Sequence, residues 1–379
     1  AYEAADAGVQ WTLAMLNTGK NINESCATDA PVTNTFQQRY LRAFAFADKV
    51  TPLAAVPAVG AVATLAACMH GGGAWSCQCP SDGNPPLAQA ANAPLGFAIE
   101  MPPVNAADPP APITVRIHGC AGVQQGCLPN NIGNADAYVA QEAKFALVHT
   151  LRAPPAAALT ARGLIAFPSA VRVVNGDARS AGLTLHAGAA INSANVELVT
   201  APGMPAISSL VGDDIGLAAL AVLPRSEFFT RFSGITKEVY RTLPGLGKGD
   251  CMVAPSACAT SITDAAAAGH TILYANGNLL LDNAVLGSVM SPVMLVVDGT
   301  LTLQGKTQIN GLVYASALTL GTGGSPTTAF VRGATLVDGD CCGTAPGSVM
   351  SLIFDPDVLQ VLKLSAGAYA VVAGSRIDR

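Results

Sequence analysis

Asn276-Gly277-Asn278-Leu279-Leu280-Leu281 is matched in kind by Asp298-Gly299-Thr300-Leu301-Thr302-Leu303, by Asn310-Gly311-Leu312-Val313-Tyr314 and by Arg332-Gly333-Ala334-Thr335-Leu336. In each run a polar residue and a glycine lead a short apolar stretch, the composition of a strand entered through a corner. Gly277 to Gly299 and Gly311 to Gly333 are both steps of 22 residues. The same texture begins at Ala158, in Ala161-Arg162-Gly163-Leu164-Ile165 and Ala181-Gly182-Leu183-Thr184-Leu185, where Gly163 to Gly188 is a step of 25. Such periods are those of solenoid coils, whose stacking buries a column of Leu, Val and Ile while Gly and Ala let the corners approach. Residues 158–379 are therefore expected to form a large β-solenoid (β-helix) region. A β-sandwich also uses short strands, and the repeat period is what favours the solenoid.

Working outward, the aromatic-rich span 224–244, with Phe228, Phe229, Phe232, Ile235 and Tyr240, is expected as a helical insertion, Ser226 its cap, plugging an open end of the solenoid. Asp355-Pro356 starts a last helix, with Asp as cap and Val358, Leu359 and Leu362 inward, and residues 368–374 return as a terminal strand. Towards the N-terminus, residues 35–157 are expected as an α+β head. Tyr40 to Phe46, Leu95 to Met101 and Ile113 to Ile117 alternate as strands, and Ala135 to Leu151 is expected as a helix capped by Asn134. The glycine- and proline-rich span 70–94, including Gly83-Asn84-Pro85-Pro86, needs staples to stay ordered. Residues 1–34 hold an amphipathic helix over 2–17, its apolar positions Tyr2, Ala5, Val9, Leu13 and Leu16 at three- and four-residue steps and Gly19 as a stop.

The ten cysteines show no zinc- or redox-type CxxC pair, so disulfides and an oxidising compartment are expected. Cys120 with Cys127 and Cys251 with Cys258 each enclose six residues and can close local loops. Cys26, Cys68, Cys77 and Cys79 leave three pairings open, and the adjacent Cys341 and Cys342 either bridge each other or pair elsewhere. Of 379 residues, 50% are hydrophobic but only 12% charged, and the formal charge of -5 includes no long like-charge run, so bulk charge offers no pull on nucleic acid. The chain opens on Ala1-Tyr2-Glu3 rather than on the basic start and apolar core of a leader. The apolar stretch Thr51 to Met69 carries Pro52 and Pro57, against a membrane-spanning helix.

No catalytic, cofactor-binding or metal residue is singled out. Asp213 and Asp214 offer the paired carboxylates of a polysaccharide-cleaving solenoid enzyme, but Gly-Asp-Asp-Ile is first an ordinary turn. His70, His118, His149, His186 and His270 are scattered without metal-ligand spacing and are expected to be isolated. No GxSxG, P-loop or GxGxxG motif occurs. Asp338-Gly339-Asp340 presents oxygen ligands, which leaves calcium as the one cofactor open to consideration.

Tyr2-Glu3-Ala4-Ala5-Asp6-Ala7-Gly8-Val9-Gln10-Trp11 resembles the A-x-E-A-A-E-A-G-x-x-W stretch of PilX-type minor pilins of the type IV pilus family. Ala74-Trp75-Ser76-Cys77-Gln78-Cys79-Pro80, Leu159-Thr160-Ala161-Arg162-Gly163 and Gly374-Ser375-Arg376 are similar to pieces of longer members. The family's processing site and the glutamate near its mature N-terminus have no counterpart here. The resemblance implies a pilin-like N-terminal helix, the lower half of a longer one whose membrane half is absent, packed on an antiparallel sheet. It further implies a non-enzymatic role in pilus assembly at the cell surface, at the fibre tip on account of size. Its implied partners are the major pilin, other minor pilins, the assembly machinery and the inner membrane, with a surface receptor as a further one. The alternatives are a secreted solenoid enzyme acting on polysaccharide and a stand-alone glycan-binding adhesin.

Overall fold

The computed structural model describes residues 1–28, 34–44, 48–52, 64–80, 93–102, 112–123, 127–128, 135–220, 225–321, 328–344 and 350–378. The chain is of mixed α+β class, with an N-terminal helix and a majority of strand. It forms two compact units, residues 1–148 with 368–379 and residues 149–367.

The first unit begins with α1 (Tyr2–Leu16), whose buried positions Ala4, Ala5, Gly8, Val9, Thr12, Met15 and Leu16 keep a helical period; of the expected stripe Ala5, Val9 and Leu16 are buried, Leu13 is half-buried and Tyr2 is exposed. α2 (Phe36–Tyr40) opens with a capping box in which Thr35 and Gln38 each accept the other's backbone N–H. It runs into β1 (Leu41–Phe44), paired with β2 (Lys49–Pro52). The main sheet contains β3 (Thr64–Gly71), β4 (Ala74–Gln78), β5 (Ala93–Glu100), β6 (Ile113–Val123) and β7 (Ala137–His149), all described pairs of it antiparallel.

The segment expected as a helix from Ala135 to Leu151 is thus a strand. Its alanines favour a helix in isolation, yet β7 lies against β6 in continuous register from Ala137 opposite Ala121 to Phe145 opposite Ile113. That pairing satisfies the backbone and buries Ala143 and Phe145, which overrides local propensity. The cap proposed at Asn134 lies outside the described residues, as do Gly83-Asn84-Pro85-Pro86, Pro224, the side chain of Ser226 and most of the apolar stretch after Thr51. Strand Gly367–Val371 also joins β7, and Ile377–Asp378 pairs with Glu142 and Gln141. The terminal strand expected to finish the C-terminal region therefore completes the first unit's sheet, because its donors and acceptors find the open side of β7.

The second unit is a stack of parallel strands. A first block comprises β8 (Leu159–Ala161), β9 (Ile165–Ala166), β10 (Val171–Asn175), β11 (Leu185–Ala187), β12 (Ile191–Asn192), β13 (Val196–Thr200) and β14 (Leu210–Val211). Three short helices follow, α3 (Ile215–Ala219), α4 (Arg225–Ser233) and α5 (Lys237–Tyr240). The second block holds β15 (Leu246–Asp250), α6 (Pro255–Ala267), β16 (Ile272–Asn276), β17 (Leu279–Asp282), β18 (Val285–Leu286) and β19 (Val293–Gln304). It ends with β20 (Gln308–Leu320), β21 (Phe330–Val337), β22 (Gly343–Thr344), β23 (Ser351–Phe354) and α7 (Pro356–Ser365), which Asp355 caps.

The sequence period is the stacking register. Leu279 lies beside Leu301, Leu281 beside Leu303, and Gly311 beside Gly333, each pair 22 residues apart. Gly311 and Gly333 have φ of +141° and +129°, and a Cβ on either would strike a backbone carbonyl of the preceding strand, Val293 for the first and Gly311 for the second. Only glycine satisfies both conditions. Leu273, Leu295, Val313, Leu159 and Leu185 are all fully buried along one register, with the buried Thr335 standing between Val313 and Leu159.

Strand order along the principal sheet is β13-β10-β23-β21-β20-β19-β16-β15. The second block therefore starts at the far end and winds back until β23 meets β10 and β21 meets β8. The connection between blocks has to travel the length of the stack, and α4 and α5 lie along that path. Phe228 and Phe229 pack on Tyr314 of β20, and the Tyr240 hydroxyl donates to the carbonyls of Leu273 and Met294. The aromatic insertion covers middle strands and not an open end. The end strand β15 is instead covered by α6, which the sequence did not announce. Gly247 and Gly249 leave room for it, a Cβ at Gly249 falling 2.8 Å from Cys258 Sγ and 3.1 Å from Ile262 Cγ1.

Candidate functional site

In the first unit α1 seats on β5 and β6 through small residues. A side chain at Gly8 would meet Ile117 and Phe97, and one at Gly119 would strike Ala1 and Ala5. Trp11 meets Phe36 edge-on at 5.7 Å and Phe97 at 5.8 Å. The helix is also tied to the end of the chain: Asn17 exchanges two hydrogen bonds with the Tyr369 backbone, and Arg376 reaches Asp6 and Gln141. Tyr2, Glu3, Gln10 and Ala14 face outward.

The cysteines pair as Cys26–Cys79, Cys68–Cys77, Cys120–Cys127, Cys251–Cys258 and Cys341–Cys342, and none is free. The set of three pairings left open resolves because Cys68 and Cys77 face each other across the β3–β4 hairpin. A fully disulfide-bonded chain fits an extracellular or surface location.

His118 and His186 are not isolated. On the sheet of the first unit, His118 Nε2 lies 3.0 Å from Glu100 Oε2, and Nδ1 lies 2.8 Å from the Tyr138 hydroxyl. Arg116 stands between Glu100 and Glu142, at 3.4 and 3.7 Å. Burial pushes the Glu100 carboxyl up, but the His118 hydrogen bond and the Arg116 charge outweigh it and hold it below its ordinary value. The cross-strand register that puts Glu100, Arg116 and Glu142 in one row is invisible in a linear reading.

In the second unit a polar row ties the crossing helices to the stack. Asp298 accepts from Lys237 Nζ at 2.8 Å, from the Tyr274 hydroxyl at 3.1 Å and from Arg241. Burial raises its carboxyl, and Lys237, Tyr274 and Arg241 together bring it below its ordinary value. The same surroundings push the Tyr274 phenol up to about 12, burial first and the Asp298 charge second. Two strands on, just past the end of β21, Asp338 takes the Tyr314 hydroxyl at 2.5 Å and Arg162 Nε at 2.6 Å.

Asp213 and Asp214 do not form an opposed acid pair. Asp214 accepts from His186 Nε2 at 2.7 Å and caps α3 through the Leu217 amide at 2.9 Å, which lower its pKa. Asp213 occupies a left-handed turn at φ +53°. Of the two carboxylates considered for calcium, Asp340 accepts the Leu164 amide at 2.8 Å and Asp338 accepts from Arg162 and Tyr314. Among the described residues no group of three or more His, Cys, Asp or Glu is placed to hold a metal ion, and no helix is long and apolar enough to cross a membrane.

No protein-family model matches the chain, and no curated protein matches it. Among solved structures the chain is similar to the competence-associated pilin ComZ from Thermus thermophilus, at 11% identity, covering 100% of this chain and 97% of that one with a TM-score of 0.24. At 0.24 the likeness is too slight to place the fold, which stands on its own hydrogen-bond registers.

Proposed function

We propose that the chain is a non-enzymatic structural subunit of a type IV pilus-class surface fibre, with the first unit as its pilin-like assembly module and the parallel stack as a β-solenoid. The observation that carries this reading is α1. It lies on an antiparallel sheet through Ala, Gly and Val, is fastened to the C-terminal strands, and turns Tyr2, Glu3, Gln10 and Ala14 outward. A helix held this way presents a side for packing against neighbouring helices. Its partners in this reading are the major pilin and other minor pilins. Three carboxylates of the second unit, Asp214, Asp298 and Asp338, are each committed to structural partners, which supports a non-catalytic role.

Shearing fibres from cells that express the full gene, followed by immunoblotting for this chain, tests the reading. Recovery with the fibres supports it, and immunogold label confined to fibre ends supports the tip position. Recovery of the chain only as free protein in the medium, with fibre number unchanged on gene deletion, overturns it in favour of a secreted enzyme or adhesin.

A further inference from the structure

We propose that Trp75 and His70, at the tip of the β3–β4 hairpin, form a binding site for the apolar face of a neutral hexopyranose. This goes beyond the fibre reading and holds whether or not the chain assembles. The chain has two tryptophans. Trp11 is packed between Phe36 and Phe97, whereas Trp75 stays 40% exposed.

Its support comes from beneath. The indole rests on Phe97 at 5.0 Å and meets the His70 ring at 5.3 Å, and His70 and Trp75 are directly opposite in the hairpin register. The Cys68–Cys77 disulfide bridges the next pair on the same face, and Cys26–Cys79 fixes the strand two residues further on. A ring held in one orientation loses little conformational freedom when a ligand stacks on it.

Its exposure comes from its neighbours. Gly71, Gly72, Gly73, Ala74 and Ser76 surround it in sequence, and none has a side chain long enough to fold over an indole. A Cβ at Gly71, Gly72 or Gly73 would meet nothing within 4 Å, so the turn beside the indole is itself uncrowded. The ligand class follows from the chemistry offered. A flat π face favours polarised C–H groups, the imidazole offers one donor or acceptor to a hydroxyl, and residues 71–78 carry no formal charge to pair with a phosphate or a carboxylate. A pyranose ring combines an apolar C–H face with a hydroxyl rim.

The test uses the whole chain with 15N-labelled tryptophan, which yields one indole N–H signal from Trp75 and one from Trp11. D-glucose, D-galactose and N-acetyl-D-glucosamine are titrated in turn. The expected result is a saturable shift of the Trp75 signal by at least one of them in about the millimolar range, with Trp11 unmoved. Trp75→Ala removes the response while the Trp11 signal stays in place, showing that the fold is kept, and His70→Ala weakens binding by about fivefold. No shift with any of the three sugars, or a non-saturating shift of both indoles, overturns the proposal.

Discussion

Lys237 of the crossing segment places its Nζ 2.8 Å from Oδ1 of Asp298 on β19, in surroundings that leave the lysine side chain 9% exposed. Removing the carboxylate strands an ammonium where little water reaches it. Asp298→Ala is expected to lower the unfolding free energy of the second unit by about 3 kcal/mol, and adding Lys237→Met to recover a large part of it. Urea unfolding of the single and double variants measures both.

Acid should act through the same group and through Glu100. Their folded pKa values lie below the ordinary 3.8 and 4.5. The stability they contribute is therefore complete above those ordinary values and disappears as the pH falls through the lowered ones. The thermal midpoint is expected to hold from neutrality to about pH 5 and drop below about pH 4. Asp298→Asn should start from a lower midpoint and fall less steeply in acid.

At Gly333, both a φ of +129° and the collision with the Gly311 carbonyl exclude a side chain. Gly333→Ala is expected to cost more than about 3 kcal/mol or to prevent folding of the second unit. Gly176→Ala, at a position where a Cβ meets nothing within 4 Å, should stay within about 0.5 kcal/mol of wild type. Chemical denaturation monitored by circular dichroism separates the two.

Loop length ranks the disulfides. Cys26–Cys79 closes a separation of 53 residues and Cys120–Cys127 one of 7. Replacing the first pair by alanine should destabilise the first unit by about 4 kcal/mol, and replacing the second by about 2 to 3 kcal/mol. Paired unfolding curves of the two double variants give the order directly.

The second unit enters and leaves through neighbouring strands. The Thr150 amide donates to the Ala366 carbonyl at 3.1 Å, and the Val372 amide to the Lys144 carbonyl at 2.8 Å, on one antiparallel register. Residues 149 and 367 are thus close enough for a tight turn. Replacing 150–366 with Asn-Gly should leave a first unit that unfolds cooperatively and keeps the near-ultraviolet signal of its aromatic residues. A flat near-ultraviolet spectrum would show that the first unit depends on the second.

By itself the sequence determined what depends on neighbours along the chain or on strict repetition. The steps of α1, the Asp355-Pro356 start of α7 and the spacing from Gly311 to Gly333 are of this kind, because a position that admits no Cβ is repeated where β21 stacks on β20. Only the tertiary structure decided the rest. Residues 137–149 became a strand because β6 offered a complete hydrogen-bond ladder, against the helical leaning of their alanines. The aromatic insertion became a flank cover because the second block begins at the far end of the stack. The rows Glu100-Arg116-Glu142 and Lys237-Asp298-Tyr274 exist only through cross-strand and helix-to-strand placement. Charge pairing falls off with distance in space and not along the chain, so residues tens of positions apart are bound together by geometry that no local pattern encodes.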